Sequence, residues 1–310
     1  MQSGSPIITV VVFVRNAVST IARALDSVVA QMQPGVELLV LDGGSVDGTV
    51  ELIKRYEDKI TFWRSAPDGG PTAAINEGVA RASGEIICLL PADDWLEPGA
   101  LKAVAGEFAT DPDLDVLSCG TRIVHFEPDG EMRVDALFNN SAILEFSMDN
   151  IVRFPLTAGR FIRRRVYQQF GNHDVHYRIG SDLDFLVRVC AAGLKAKVLE
   201  QVAYTYRRHA LSMTLSGNPE MVFLMMSDEV EIAESCLSRS GLSAVNRRAL
   251  VGLHGRASTR LAWMLLTRGR AGEALRALGR AWRLNLLWPL LVPFWIVRGW
   301  LERRRLARAD

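Results

Sequence analysis

The chain has 310 residues, of which 49% are hydrophobic, and its formal net charge at pH 7 is +1. This composition excludes an intrinsically disordered chain, and the length allows one large domain with a smaller appendage. The four cysteines show neither metal-ligand spacing nor a disulfide framework, which indicates a reducing compartment. The first apolar run has no basic leader and stops at Arg15, so we expect no secretory signal and a cytoplasmic protein.

Strand and helix patterns alternate in the first third of the chain. Residues 7–14 form a continuous β-branched run, which is typical of a strand buried on both faces of a parallel sheet. Further strand patterns cover 36–42, 60–65 and 84–94, and helical patterns lie between them at 19–32, 47–59 and 70–83. The alternation predicts an α/β domain with a mixed, mostly parallel, Rossmann-related sheet flanked by helices.

Polar clusters follow each of the four predicted strands. They are Arg15-Asn16, residues 42–45, residues 64–70 and the doublet Asp93-Asp94. Ligands of open α/β sheets bind beyond the carboxyl ends of the strands, so four clusters at one edge indicate a site. Two interpretations of the doublet stay open at this point. It either opens a turn and caps the following helix, or it faces a cation or a polyhydroxyl ligand.

The rest of the chain changes from mixed to helical patterns. Short strand patterns surround a helical pattern at 181–193 within residues 115–215, and the periodicity from 220 onward is helical. Residues 262–285 resemble one helical hairpin of the tetratricopeptide type. We therefore predict three regions: an α/β domain at 1–218, a helical region at 219–280, and an amphipathic segment at 281–310.

The C-terminal segment is basic and rich in tryptophan. From Arg239 onward the chain has fifteen arginines, no lysine and three acids. Its last apolar block, 284–297, is shorter than the roughly 20 residues that span a bilayer. Tryptophan and arginine around such a block predict binding to an anionic membrane surface through 281–310, and not to nucleic acid. The alternative is a helix packed on the protein itself or on the partner of a homodimer.

Several segments in chain order resemble glycosyltransferase family 2, the inverting enzymes of the GT-A fold, between about residues 6 and 215. They are "TVVVFVRN" (9–16), "VLDGGSVDGT" (40–49), "SAPDGGPTAAINEGVARASGE" (65–85), "LLPADDW" (89–95), "AGRFIRRRVYQQFG" (158–171), "YRIGSDLDFLVRV" (177–189) and "YRRHALSMT" (206–214). The resemblance implies a GT-A-like fold with a C-terminal helical extension. It also implies transfer of a sugar from a UDP-sugar, with Mg or Mn, to a polysaccharide acceptor. The expected membrane-binding segment at 281–310 adds a lipid-linked acceptor and a place at the inner face of the cytoplasmic membrane.

The same resemblance assigns roles to individual residues. Asp182 is the expected base, with Asp184 as its rival, and Asp94 is the expected metal ligand together with His209. The residues expected to bind the donor are Val14, Arg15, Asn16, Asp42, Gly43, Asp68, Gly69, Asn76, Asp93 (at the ribose) and Arg208. The departure "PADD" from the family's Asp-x-Asp motif leaves open whether a further acid contributes. Asp42 has the alternative of closing the "DGGS" turn, and His209 that of a structural histidine.

Other functions are open on the sequence alone. A Rossmann dehydrogenase is disfavoured, because no GxGxxG follows the first strand. A nucleotidyltransferase shares the architecture and would release pyrophosphate. A non-catalytic protein that binds nucleotide sugars or carbohydrates is the other alternative.

Overall fold

The computed structural model describes residues 8–153, 157–210, 212 and 218–285. The chain forms two compact units. The first comprises Met1–Phe146, Leu156–Val175 and Gly193–Arg207, and the second comprises Ser147–Pro155, His176–Ala192 and Arg208–Asp310. The second unit therefore contains segments around 150 and 185 that the sequence analysis counts with the α/β domain.

The first unit is built on one mixed sheet. Its strands are β1 (Ile8–Val14), β2 (Val36–Asp42), β3 (Phe62–Ser65), β4 (Ile86–Pro91), β5 (Trp95–Leu96), β6 (Val116–Phe126), β7 (Met132–Phe138), β8 (Arg160–Arg163) and β9 (Ala196–Arg207). The order across the sheet is β3-β2-β1-β4-β8-β6-β9-β5, and β7 pairs with β6 beside this path. The predicted α/β sheet flanked by helices is confirmed, and the sheet is mixed.

Helices complete both units. In the first unit they are α1 (Ile21–Val29), α2 (Thr49–Lys54), α3 (Pro71–Arg81), α4 (Ala100–Thr110), α5 (Ser141–Leu144) and α7 (Arg164–Phe170). In the second unit they are α6 (Met148–Arg153), α8 (Ser181–Ala191), α9 (Pro219–Leu237), α10 (Ala244–Thr267) and α11 (Ala271–Leu284). The predicted C-terminal helices are thus confirmed as α9, α10 and α11.

The four strands that the sequence predicts in the first third of the chain form the parallel half of the sheet. β1 lies between β2 and β4 and is parallel to both, and β3 is parallel to β2. Val10, Val12 and Leu38 are fully buried, because this part of the sheet has a hydrophobic core on its faces. The parallel arrangement brings the loops after β1, β2, β3 and β4 to the same edge of the sheet.

The other half of the sheet is mixed. β8 is antiparallel to β4 and to β6, whereas β9 is parallel to β6. The two-residue strand β5 is antiparallel to β9, with Trp95 opposite Thr205 and Leu96 opposite Tyr204. This pairing places the end of β9 next to the acidic doublet that precedes β5.

The second unit is a helical bundle. Met226 and Val230 of α9 share a core with Ala257 and Leu261 of α10 and with alanines of α11. α10 and α11 are joined by a turn in which Gly269 has a φ of +74°. The first of these helices begins at Ala244, before the expected hairpin at 262–285, and the tetratricopeptide type of this region stays a prediction. In the described part of the chain, no helix is long and apolar enough to cross a membrane. Most of the predicted 281–310 segment lies outside the described residues.

A close contact between α3 and β1 gives a first prediction. A Cβ atom at Gly78 would lie 2.2 Å from Cγ1 of Val11, whereas one at the exposed Gly106 of α4 would meet no atom within 4 Å. We expect Gly78→Ala to lower the free energy of unfolding by about 1–3 kcal/mol through overpacking. Gly106→Ala, the matched control, should leave it unchanged or raise it by up to about 1 kcal/mol. Urea denaturation compares the two variants, and equal effects would contradict the packing.

Candidate functional site

The loops after β1 and β2 are bonded to each other. The Gly43 amide donates to the Val14 carbonyl at 2.9 Å. Asn16 has a φ of 51°, in the left-handed region that asparagine tolerates. Its backbone N–H donates to Ser45 Oγ at 2.6 Å, and its side-chain oxygen accepts from the Val46 backbone amide at 3.0 Å. The predicted donor residues of these two loops therefore form one rigid rim.

Asp42, at the end of β2, is fully buried. Its Oδ2 accepts hydrogen bonds from the Gly44 amide at 3.1 Å, the Ser45 amide at 2.9 Å and Ser65 Oγ at 2.6 Å. The Ser45 hydroxyl donates to its Oδ1. These are the contacts of a residue that closes the turn. Any contact of Asp42 with a nucleotide would use an oxygen that already accepts a hydrogen bond.

Asp68 lies against the same rim. A Cβ atom on Gly43 would be 3.3 Å from Asp68 Oδ1, so a larger residue at position 43 would require the Asp68 carboxylate to shift by a few tenths of an ångström. Asp68 Oδ1 accepts from the Gly70 amide at 2.9 Å, and Oδ2 pairs with Arg64 Nη2 at 3.2 Å. Arg64 also pairs with Glu77 at 2.7 Å. The hydrogen bonds from Arg64 are the main reason that the pKa of Glu77 is lowered.

Three other predicted donor residues have different surroundings. The side chain of Arg15 is exposed, and its Cδ lies close to Gly43. Gly69 packs near Ala73. Asn76 is engaged with the chain around residue 173: its Nδ2 donates to the His173 carbonyl at 2.8 Å, and its Oδ1 accepts from the His173 amide at 3.0 Å. Arg15 is therefore accessible to a ligand, whereas the Asn76 amide holds the backbone.

The two acids of the doublet have opposite surroundings, and Asp94 points inward. It is 2% exposed. Its Oδ2 accepts from the Tyr204 hydroxyl at 2.7 Å, and its Oδ1 accepts from the Arg207 amide at 2.9 Å. Burial, opposed by these hydrogen bonds, raises the pKa of Asp94 to about 7. Asp94 thus joins the end of β4 to β9.

Asp93 borders a cleft. It is half-buried and accepts a hydrogen bond from Thr20 Oγ1 at 3.0 Å. The cleft is lined by Ser19, Thr20, Arg23, Asp93, Phe126 and Arg207. The guanidinium groups of Arg23 and Arg207 lie 4.8 Å and 5.2 Å from the centre of the Phe126 ring. Arg207 Nε is shielded from water and has no hydrogen-bond partner in the described structure. The cleft therefore combines one carboxylate with two cations.

The second unit holds the two candidate bases. Asp182 and Asp184 both lie in the first turn of α8. Asp184 is 6% exposed and pairs with Arg188 at 2.8 Å. Asp182 is half-buried, and its Oδ1 accepts from the Leu183 amide at 2.7 Å. Asp184 is therefore buried in an ion pair, whereas the carboxylate of Asp182 is partly exposed to solvent.

His209 and Arg208 also belong to the second unit, and both are half-buried. The His209 backbone amide donates to Ser212 Oγ at 2.9 Å. Among the described residues, no three His, Cys, Asp or Glu side chains form a group that could hold a metal ion by themselves. The roles of His209 and Arg208 stay predictions.

Five residues around the doublet and the cleft were not predicted from the sequence: Tyr204, Thr20, Arg23, Phe126 and Arg207. Tyr204 is 1% exposed although it carries a hydroxyl, and Arg207 directly precedes the predicted Arg208. A usable signal was the alternation of "YTYR" along β9, which predicts that Tyr204 and Tyr206 share one face. Nothing in the sequence pairs Arg23 with Phe126, because they are brought together only by the fold.

The chain matches the model of a known protein family. The model described as Glycosyl transferase family 2 matches residues 9–171. Among curated proteins, the succinoglycan biosynthesis protein ExoU of Rhizobium meliloti (strain 1021) is 26% identical over an alignment of 260 residues, and the match covers 77% of this chain and 73% of ExoU.

Two solved structures show the same fold. S. aureus TarS 1-349 in complex with UDP-GlcNAc has a TM-score of 0.58 and 16% identity, and the match covers 92% of each chain. The mannosyltransferase PcManGT from Pyrobaculum calidifontis, in complex with GDP-Man and Mn²⁺, has a TM-score of 0.59 and 18% identity. That match covers 97% of this chain and 85% of PcManGT.

The bond between Tyr204 and Asp94 gives a second prediction. Tyr204→Phe leaves a buried carboxylate with one partner fewer, so the free energy of unfolding should fall by about 1–3 kcal/mol. The control is Tyr56→Phe, which removes an exposed hydrogen bond to Asp26 and should change stability by less than about 0.5 kcal/mol. Urea denaturation measures both. A Tyr204→Phe variant as stable as the control would show that the buried bond contributes nothing.

Proposed function

The chain belongs to glycosyl transferase family 2 and is a glycosyltransferase, and we propose that it inverts the anomeric centre of a nucleotide sugar. The donor is a UDP-sugar, and the acceptor is a hydroxyl of a growing polysaccharide or a lipid-linked saccharide. The observation that carries this proposal is the cleft at the carboxyl ends of the strands, with Asp93 and Arg207 in its wall. The names of ExoU and of the UDP-GlcNAc complex of TarS support the choice of pathway and donor.

The donor site is formed by the rim and the cleft of the first unit. Asp68 and the exposed Arg15 lie beside the buried Gly43, so the side chain of Arg15 is the group that a base or ribose can reach at the rim. Arg207 lines the cleft, and its guanidinium charge attracts an anionic oxygen there. Nucleotide binding thus uses Arg15 at the rim and positive charge in the cleft.

The residues present fit a divalent cation that enters with the donor. Mg²⁺ sites often use one or two carboxylates, and substrate phosphates supply other ligands. Asp93 offers a carboxylate at the cleft, whereas the oxygens of Asp94 are buried and bonded. We therefore assign the metal-facing role to Asp93 and a structural role to Asp94, the reverse of the order expected from the motif. A bound cation would neutralise the charge that develops on the leaving diphosphate.

Asp182 is the proposed base. It removes the proton of the acceptor hydroxyl while that oxygen forms its bond to the anomeric carbon. The bond from this carbon to the diphosphate oxygen breaks on the opposite face, and the nucleoside diphosphate leaves with the electron pair. One carboxylate is enough for this single displacement. The ion pair of Asp184 with Arg188 is the reason to prefer Asp182.

An anionic membrane surface is the proposed partner of the helical unit. On α11, Leu275 is 68% exposed and Trp282 is 56% exposed, one heptad apart on the same helix face. Arg276, Arg280 and Arg283 are exposed on the same helix. An apolar stripe beside cations fits the interface of a bilayer that contains anionic lipids. This surface would place the enzyme at the inner face of the cytoplasmic membrane.

The two acids of the doublet can be separated experimentally. We expect Asp93→Asn to weaken the Mn²⁺-dependent part of UDP binding by about tenfold or more, equivalent to about 1.4 kcal/mol. Asp94→Asn should keep the Mn²⁺ dependence and mainly change stability. Isothermal titration calorimetry with UDP, with and without Mn²⁺, measures both. Loss of the Mn²⁺ effect in Asp94→Asn alone would reverse the assignment.

The two acids of α8 give a parallel comparison. Asp182→Asn should lower kcat by at least about 100-fold while UDP binding persists, because only the proton acceptor is removed. Asp184→Asn loses its pair with Arg188 and should mainly lower stability. The assay follows release of the nucleoside diphosphate from UDP-sugars, and pyrophosphate as the product would favour a nucleotidyltransferase. Normal transfer by Asp182→Asn would exclude it as the base.

The membrane proposal predicts a specific loss. Replacing Leu275 and Trp282 by serine should reduce sedimentation with phosphatidylglycerol vesicles by about tenfold or more, because each inserted side chain contributes about 2 kcal/mol. Val245→Ser, the control, removes an exposed apolar residue at the start of α10. Neutral phosphatidylcholine vesicles should bind the unmodified chain weakly. Equal binding by the double variant and the control would exclude this helix face.

A further inference from the structure

The start of α8 depends on an acceptor from another helix. Its N-cap is Gly180, which has no side chain, and no side-chain cap is found there in the described structure. The backbone amides around such a helix start need acceptors. Asp228 of α9 provides one: its Oδ2 accepts from the Ile179 amide at 3.0 Å and from the Gly180 amide at 2.9 Å. One carboxylate oxygen therefore holds two consecutive peptide groups directly before α8.

The contact between this backbone and α9 is close. A Cβ atom on Gly180 would lie 2.9 Å from Cβ of Asp228 and 2.9 Å from Cδ1 of Ile232. No real Cβ atom fits at such a distance, so the backbone can rest on α9 only because residue 180 is glycine. The hydrogen bonds to Asp228 and the packing of Gly180 on α9 thus both fix the position of the backbone directly before α8.

The support under Asp228 is itself rigid. Its neighbours on α9, Met226, Val230 and Ile232, are 2%, 3% and 1% exposed. Met226 and Val230 belong to the core shared with α10 and α11. A second link, between His176 and Glu231 at 2.9 Å, joins side chains that are 63% and 56% exposed. Exposed pairs contribute little, so the part-buried contact through Asp228 contributes more than this ion pair to holding the start of α8 on α9.

We infer that Asp228 is a positioning residue for Asp182, which lies two residues beyond Gly180. This inference rests on the proposed role of Asp182 as the base. Asp228 bonds to backbone and not to reacting atoms, and it sets where the first turn of α8 begins. A base that is misplaced by about 1 Å can cost about 100-fold in rate. The helical C-terminal region would then be a support of the active site as well as an appendage.

The test compares two replacements of Asp228. Asp228→Ala removes the acceptor, and we expect kcat to fall about 10- to 100-fold while KM for the UDP-sugar and the affinity for UDP stay within about twofold. Asp228→Asn keeps an oxygen where both amides donate, so it should recover most of kcat. Equal losses in the two variants would show that charge matters rather than position, and would overturn the inference. The control Glu231→Gln should transfer at nearly the normal rate.

A double variant separates this inference from the proposed function. If Asp228 acts through Asp182, Asp182→Asn with Asp228→Ala should be no slower than Asp182→Asn alone. A further fall in rate would mean that Asp228 acts elsewhere. Normal transfer by Asp182→Asn would refute the base itself, whereas an inactive Asp182→Asn beside a fully active Asp228→Ala would refute only the positioning role.

Gly180→Ala tests the same contact from the other side and covers the case in which Asp228→Ala fails to fold. The added methyl must displace the backbone from Asp228 and Ile232. We expect kcat to fall at least about tenfold with UDP affinity kept. A variant that folds and turns over at the normal rate would contradict the inference.

Discussion

The buried carboxylate of Asp94 is the constraint on which the site depends. It accepts from the Tyr204 hydroxyl and the Arg207 amide, and so joins the turn after β4 to the end of β9. A buried carboxylate is costly unless it is hydrogen-bonded, and both of its oxygens are. Because neighbouring side chains in this turn diverge, fixing Asp94 inward leaves Asp93 at the cleft.

The same interaction organises the positive charge around the cleft. The Arg207 backbone is held by Asp94, while its side chain lies on Phe126 together with Arg23. The Phe126 ring contacts both guanidinium groups, and such cation–π contacts are favourable. Asp93 and the two arginines thus form a wall that suits a diphosphate with its cation. In the second unit, α9 packs in a buried helix core, and its Asp228 holds the backbone at the start of α8.

The sequence was sufficient for the architecture and for the edge of the sheet that carries the polar loops. Alternating strand and helix patterns predicted the parallel half, and the loops after β1, β2 and β3 meet as expected. The orientation of Asp93 relative to Asp94 could not be predicted, because it is set by Tyr204, more than a hundred residues away in sequence. Asp42 and Asn76 show the same limit. Their polar groups suit a ligand, but the fold directs them to backbone and hydroxyl partners. The grouping of residues 176–192 with the C-terminal helices also depends on contacts between distant segments.

The central claim is that Asp93, and not Asp94, faces the cation that accompanies the donor. The most direct measurement is anomalous diffraction from crystals grown with UDP and Mn²⁺, because the metal position is then seen without mutation. The account predicts a Mn²⁺ peak at about 2.1 Å from a carboxylate oxygen of Asp93, with Asp94 still bonded to Tyr204. A peak at that distance from Asp94, with its bond to Tyr204 broken, would contradict it.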